Sequence, residues 1–332
     1  MIIERLQGNP IIRPDLHASL SSNINGPSLI KSPPWIDDPL GKYYLYFASH
    51  DGQYIRLAYA DELTGPWSIY SPGTLHIDQP DVAFNDHIAS PDVHVDSNRK
   101  QIIMYYHGCC QPFLEPLAAN STSDAQHQNI TIKLKKLIFG TDPNIVNQFT
   151  RVATSRDAIN FSSQQEPIGR FYFRVFEHRN KFYALAKTNQ GFGEVESGQR
   201  LYRSDKQMGG FKPGPVLFND GARHTAVRRR GDQLDVFYSR IGDNPERILH
   251  AIIDLTRDWS DWEASTPEPV LAPTYDWEGA NISAETSEAG AADGPVHQLR
   301  DPGIFQEGGR TYLLYTVAGE RGIALGEVVD GD

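Results

Sequence analysis

The chain has 332 residues, 39% apolar and 22% charged, which is a globular rather than a disordered composition. Its formal charge of −11 argues against nucleic acid and anionic membranes as partners, and no apolar run approaches the ~18 residues of a membrane span. Two cysteines, Cys109 and Cys110, are too few for a disulfide framework, and no spacing resembles a zinc site. The opening MIIERLQGNPIIRP lacks the basic start and apolar core of a secretory signal, so a cytoplasmic location is expected.

Abundant glycine (28) and proline (22) favour short strands and turns. Residues 2–6 read as a strand without a neighbour to pair with. A two-strand pattern then recurs, a short apolar strand followed by one rich in Tyr, Phe and Leu. It occupies residues 26–50, 90–108, 171–187, 223–240 and 300–316. Aligned on the second strand, Phe47, Tyr106, Ala186, Tyr238 and Tyr315 share one position. A third, alternating strand follows each pair (YIRLAYA, FTRVATS, QRLYRS, RILHAIID and GIALGEV), and four of the five repeats add an edge segment. Four strands per repeat describe a propeller blade. The expected architecture is an all-β, five-bladed β-propeller formed by residues 1–332 as one domain, its ring closed by the N-terminal strand joining the last blade. Insertions interrupt the pattern at about 111–147 and 274–299, lengths that suit lids or binding loops.

In a propeller the first strand of each blade lines the central channel, starting at the face where the second strand ends. Those places hold Gly26, His87, Ser90, Tyr172, Arg174, Arg223, His224, Arg300 and Asp301, together with His50, His107, Lys187 and Arg240. The set reads as a basic funnel with Asp301 as its clearest carboxylate. Charge-assisted contacts of about 1.5–3 kcal/mol each would favour an anionic ligand. His50, His107, Arg174, Arg223, Arg240 and Arg300 are therefore candidate ligand-binding residues. Asp301, His224, His87, Tyr172 and Asp92 are candidate catalytic residues, and Glu285 on the Gly/Ala-rich insertion is a further carboxylate able to reach the ligand. His87, His107, His224 and Asp301 offer nitrogen and oxygen donors, but each comes from its own place in the repeat and no local spacing demands a metal.

The strings GKYYLYFASHDG, YIRLAYADELTGPW, HIASPDVHVD and LRDPGIFQEGGRTYLLYTVAGE resemble the five-bladed furanosidase-type propellers, which include glycoside hydrolase families 43, 32 and 130. NPIIRP and PVLAPTYDWEG are similar to pieces of the family 130 branch. The resemblance covers nearly the whole chain. It implies an oligosaccharide substrate, no required cofactor and, as in some relatives, room for a structural cation in the channel. Family 43 carries a general-base Asp at the start of blade one, a second Asp in blade three and an acid Glu in blade four. Gly26, Tyr172 and His224 stand at or near those places here. The leading expectation is a glycoside hydrolase acting exo on an oligosaccharide with a uronic or sulfated sugar. Elimination by His and Tyr with Arg neutralising a uronate is the alternative, as is sugar binding without turnover.

Overall fold

The structure is a computed structural model that describes residues 1–50, 52–82, 84, 87–109, 148–188, 198–219 and 221–331. The first expected insertion, with Asp86 and Cys110, lies outside the described residues. Strand β1 (Ile2–Arg5) opens the chain. Blade one follows as β2 (Asn25–Lys31), β3 (Tyr43–Ala48), β4 (Arg56–Ala60) and β5 (Ser68–Tyr70). Blade two is β6 (Ile88–Asp96), β7 (Gln101–Cys109) and β8 (Gln148–Ser155), edged by β9 (Ser162–Ser163) and β10 (Gly169–Arg170). Blade three is β11 (Arg174–His178), β12 (Lys181–Thr188), β13 (Gly198–Ser204) and β14 (Lys212–Phe218). Blade four is β15 (Ala222–Arg230), β16 (Gln233–Arg240), β17 (Ile248–Asp254) and β18 (Glu268–Leu271). Blade five is β19 (Arg300–Glu307), β20 (Arg310–Thr316) and β21 (Ile323–Val329), and β1 completes it as the fourth strand.

The pairing of β1 with β21, from Ile2↔Val329 to Arg5↔Gly326, is the closure expected from the unpaired first strand. It covers an edge that would otherwise present free backbone groups. Glu278 fastens this seam from the second insertion. Fully buried, it takes two hydrogen bonds from Arg5 and one from the Tyr315 hydroxyl.

The second strand of every blade is sandwiched between neighbours, which explains its unbroken apolar run. In β3, Tyr44 and Tyr46 pack toward blade two while Leu45 and Phe47 pack toward blade five. Tyr106, Ala186, Tyr238 and Tyr315 turn like Phe47 to the preceding blade, so the repeat alignment corresponds to a shared packing face. Each large side chain buried there contributes about 1.5–3 kcal/mol.

The inner strands share one irregularity that builds the site. In β2 the pairing steps from Asn25↔Ala48 to Ser28↔Tyr46, three residues spanning two on the partner. The same bulge falls between Ala89 and Asp92, between Ala222 and Thr225, and between Arg300 and Gly303. In blade three the Lys187 N–H donates to the Phe171 carbonyl, which leaves the same extra residue before Arg174↔Leu185. Bulges bend a strand and re-aim its side chains. Here φ is positive at Gly26, Ser90, Tyr172 and Asp301. Below the bulges, Ser28, Asp92, Arg174, Ala226 and Gly303 line a cavity of about 840 Å³ formed by the farther halves of the inner strands.

Candidate functional site

The bulge positions bring Tyr172, His224 and Asp301 from blades three, four and five into direct contact. His224 Nδ1 meets Asp301 Oδ1, and both side chains are almost wholly buried. The Tyr172 ring stands edge-on to the His224 ring with centroids 3.6 Å apart. None of His224 Nδ1 and Nε2 or Asp301 Oδ1 and Oδ2 makes a hydrogen bond to any described residue; Nδ1 and Oδ1 meet as an ion-pair contact. A proton on Nδ1, which faces the carboxylate, would leave a lone pair at Nε2. Burial holds His224 well below the ordinary imidazole value, and Arg174, Arg223, His107 and Lys187 push it the same way. It is therefore neutral at pH 7 and competent as a base. Burial pushes the Tyr172 phenol up to about 12, so it keeps its proton.

Blade one contributes no side chain to this group, for a steric reason. A Cβ on Gly26 would lie 2.9 Å from Ser90 Cα, and φ there is +59°. The approach of blade two thus closes this place to a side chain.

The other expected residues are placed differently from one another. His107 is buried beside Tyr172, ring centroids 4.7 Å apart, and is likewise depressed by burial and by His87 and Arg174. His87 adjoins it at 6.0 Å, with Nδ1 3.6 Å from the Cys109 thiol. Arg174 donates to carbonyls on both neighbouring inner strands, Ser90 and Pro91 on one side and Thr225 on the other. Lys187 donates to the Ala222 carbonyl. Arg240 pairs with Asp243 at 2.8 Å. Glu285 is exposed on its loop, and Asp92 belongs to the lower cavity rather than to this group. Asp92 accepts from the Val175 N–H and pairs with His94. Its carboxylate, which burial alone would push up, is held low chiefly by His94 and Arg174. It stands two positions along from Ser90, the bulge residue of its strand, which places it one level down.

Arg223 and Arg300 do not face the channel as free clamps, because two carboxylates absent from the sequence reading neutralise them. Glu246 accepts from Arg223 Nε at 2.8 Å and Nη2 at 3.1 Å, from Ser239, and lies 3.2 Å from Arg300 Nε. Glu320 lies 3.4 Å from Arg300 Nη1 and 3.4 Å from His50 Nδ1, and accepts from Asn23. Burial would raise Glu320, but His50, Arg300 and Asn23 bring it down to about 2. Both arginines also donate to the Gly290 carbonyl, and Arg223 to that of Glu288, so they fasten the second insertion across this end of the ring. The funnel is consequently a balanced network and not a basic one. A signal was present: Glu246-Arg247 and Glu320-Arg321 each stand just before the third strand in consecutive blades.

The donors do not fit a channel cation. Among the described residues no three His, Cys, Asp or Glu side chains gather as a metal site. His224 Nδ1 is directed to Asp301, and Arg174, Arg223 and Lys187 also act on the His224 ring.

No protein-family model matches the chain. An uncharacterized protein of Acanthamoeba polyphaga mimivirus is 32% identical over 359 residues, covering 98% of this chain and 89% of its own. Among solved structures, a thermostable family-43 glycoside hydrolase superposes with a TM-score of 0.61 at 14% identity, over 93% of this chain and 91% of that one. The α-L-arabinofuranosidase of Lactobacillus brevis gives 0.60 at 13%, over 98% and 93%. A family-43 β-xylosidase/α-arabinofuranosidase from a compost metagenome, solved with xylotriose, gives 0.59 at 12%, over 99% and 96%. At these identities the likeness is one of fold, the five-bladed propeller expected from the repeats.

Proposed function

The chain belongs to the family of that mimivirus protein, and for its glycoside hydrolase-like propeller we propose a carbohydrate-active enzyme that cleaves a glycosidic bond at the His224–Asp301 end of the channel. The observation that carries the reading is the buried His224–Asp301 pair with the Tyr172 phenol against it, set on the bulges of three successive blades. His224 Nε2 takes a proton from water as that water attacks the anomeric carbon. Asp301 holds the ring and stabilises the imidazolium that forms, while Tyr172 gives its proton to the departing oxygen. The structural neighbours named as glycosidases, one of them holding xylotriose, support an oligosaccharide in this place. The insertion that Arg223 and Arg300 fasten beside the His224–Asp301 end of the channel supports exo-action on short chains.

One observation favours a second reading, elimination. Glu320 is held ionised and Glu246 is saturated by its arginines, so neither supplies the protonated carboxyl of an inverting glycosidase. The same imidazole and phenol are then the base that removes a C5 proton and the acid that protonates the leaving oxygen.

Incubation with neutral, uronic and sulfated oligosaccharides, followed by mass spectrometry and absorbance near ~235 nm, tests both. A product that has gained water supports hydrolysis, and an unsaturated product without it supports elimination. Saturable binding with no turnover on any member overturns catalysis in favour of a sugar-binding propeller.

A further inference from the structure

At the first level below the bulges the five inner strands carry Ser28, Asp92, Arg174, Ala226 and Gly303. Three of these are small, and the two charged ones stand on neighbouring blades with opposite sign. Asp92 is the charge partner of Arg174, although its hydrogen bonds go to His94 and the Val175 N–H. The guanidinium bonds to the flanking strands instead. Nε donates to the Thr225 carbonyl of blade four at 3.1 Å, and Nη1 to the Ser90 and Pro91 carbonyls of blade two, both at 3.2 Å. The side chain is 4% exposed. It therefore clasps the inner strands on both sides of its own. The grip falls at the bulge residue of blade two and one residue beyond His224, and Tyr172 lies two residues before Arg174.

We propose that Arg174 is the positioning residue of the His224–Asp301 site: from the floor it sets the spacing of Tyr172 and His224, and its charge holds the His224 imidazole neutral. The proposal rests on the functional reading above and adds the residue that prepares the base. A guanidinium presents donors in fixed directions, which lets one side chain grip two strands, whereas an ammonium is a single point. The groups acting on His224 are Asp301 from blade five, His107 from blade two, Tyr172, Arg174 and Lys187 from blade three, and Arg223 on its own strand. Beyond burial, the largest influence lowering the His224 imidazole is Arg174. Arg223 is already matched by two hydrogen bonds to Glu246. A cation beneath an imidazole opposes a second proton on it, and the carboxylate of Asp92 offsets part of that effect. Removing Arg174 or Asp92 therefore moves His224 in opposite directions, which a loss of packing does not do.

The test titrates the imidazole of His224 in the full chain by proton–nitrogen NMR, with His224→Gln identifying its signals, and needs no substrate. Arg174→Gln is expected to raise the midpoint by about one pH unit, and Asp92→Asn to lower it. Arg174→Lys keeps the charge and is expected to follow the wild type in this titration. With 4-nitrophenyl xylosides and arabinofuranosides as probes, the same Lys variant is expected to lose about 10- to 100-fold in kcat at unchanged KM, because the grip on two strands is gone. Thermal unfolding is checked for each variant. A midpoint in folded Arg174→Gln equal to or below that of the wild type overturns the proposal. A raised midpoint in Asp92→Asn also overturns it, and that comparison stands if Arg174→Gln does not fold. Turnover by Arg174→Lys at the wild-type rate overturns the positioning role. Shifted midpoints as expected, with no turnover by the wild type on any glycoside, overturn the functional reading and leave the hold of Arg174 on His224 in place.

Discussion

His224 and Asp301 stand on the inner strands of neighbouring blades, and the contact of Nδ1 with Oδ1 is made by side chains from two bulges rather than from one loop. Such a pair keeps its geometry only while blades four and five keep theirs. The packing of Phe237, Tyr315 and Leu313 between them supplies that rigidity.

Removing either partner is expected to lower kcat by about 10²- to 10⁴-fold with little change in KM, the range for a positioned general base. His224→Ala and Asp301→Asn test it by steady-state kinetics. His224 must be neutral to accept a proton and is depressed, so the acid limb of the kcat/KM profile falls below pH 6.5. A limb at or above that value would contradict the assignment.

Glu320 gives the fold a defined acid response. Its folded value of about 2 lies below the ordinary 4.5, so its contribution is complete above pH 4.5 and is lost as pH falls toward 2. The contribution is roughly 3 kcal/mol. Urea unfolding from pH 6 to pH 3 is expected to show it, and Glu320→Gln to flatten the slope while destabilising the protein at neutral pH.

Gly26→Ala is expected to cost about 1–3 kcal/mol through its positive φ and the approach to Ser90. Gly26→Asp puts a carboxylate at the first bulge. It is expected to lower stability in thermal unfolding without raising turnover, because the new carboxylate displaces Ser90 and does not enter the channel beside it.

Much of the fold was legible because propeller blades repeat. The sandwiched second strands forced an apolar run five times, and the first strand had no neighbour except the last. The site was legible where it followed from that repeat: Tyr172, His224 and Asp301 sit at equivalent starts of inner strands. It was not legible where a short offset along the strand decides which level a side chain reaches. Asp92, two residues past a bulge, points into the lower cavity. Charge pairing across blades was hidden as well, since Glu246 and Glu320 reach Arg223 and Arg300 from loops whose return path depends on the closed ring.

Deleting residues 1–6 exposes the edge of β21 and frees Glu278 from Arg5. Loss of one partner of a buried pair costs about 3–5 kcal/mol. The truncated chain is expected to unfold at lower temperature and to associate in solution, as light scattering would report.

The bulges also separate two tasks that most active sites entangle. What the ring does is spelled by five letters, Gly, Ser, Tyr, His and Asp, at residues 26, 90, 172, 224 and 301, whereas what holds it together is written on the second strands. A lineage can therefore rewrite the chemistry one letter at a time while the barrel of blades stays intact. The armed letters are a burden to the scaffold, since buried polar atoms without partners destabilise it. Apolar replacements at 224 and 301 together should yield a sturdier and inert propeller, which is the form in which such a scaffold could be recruited for recognition alone.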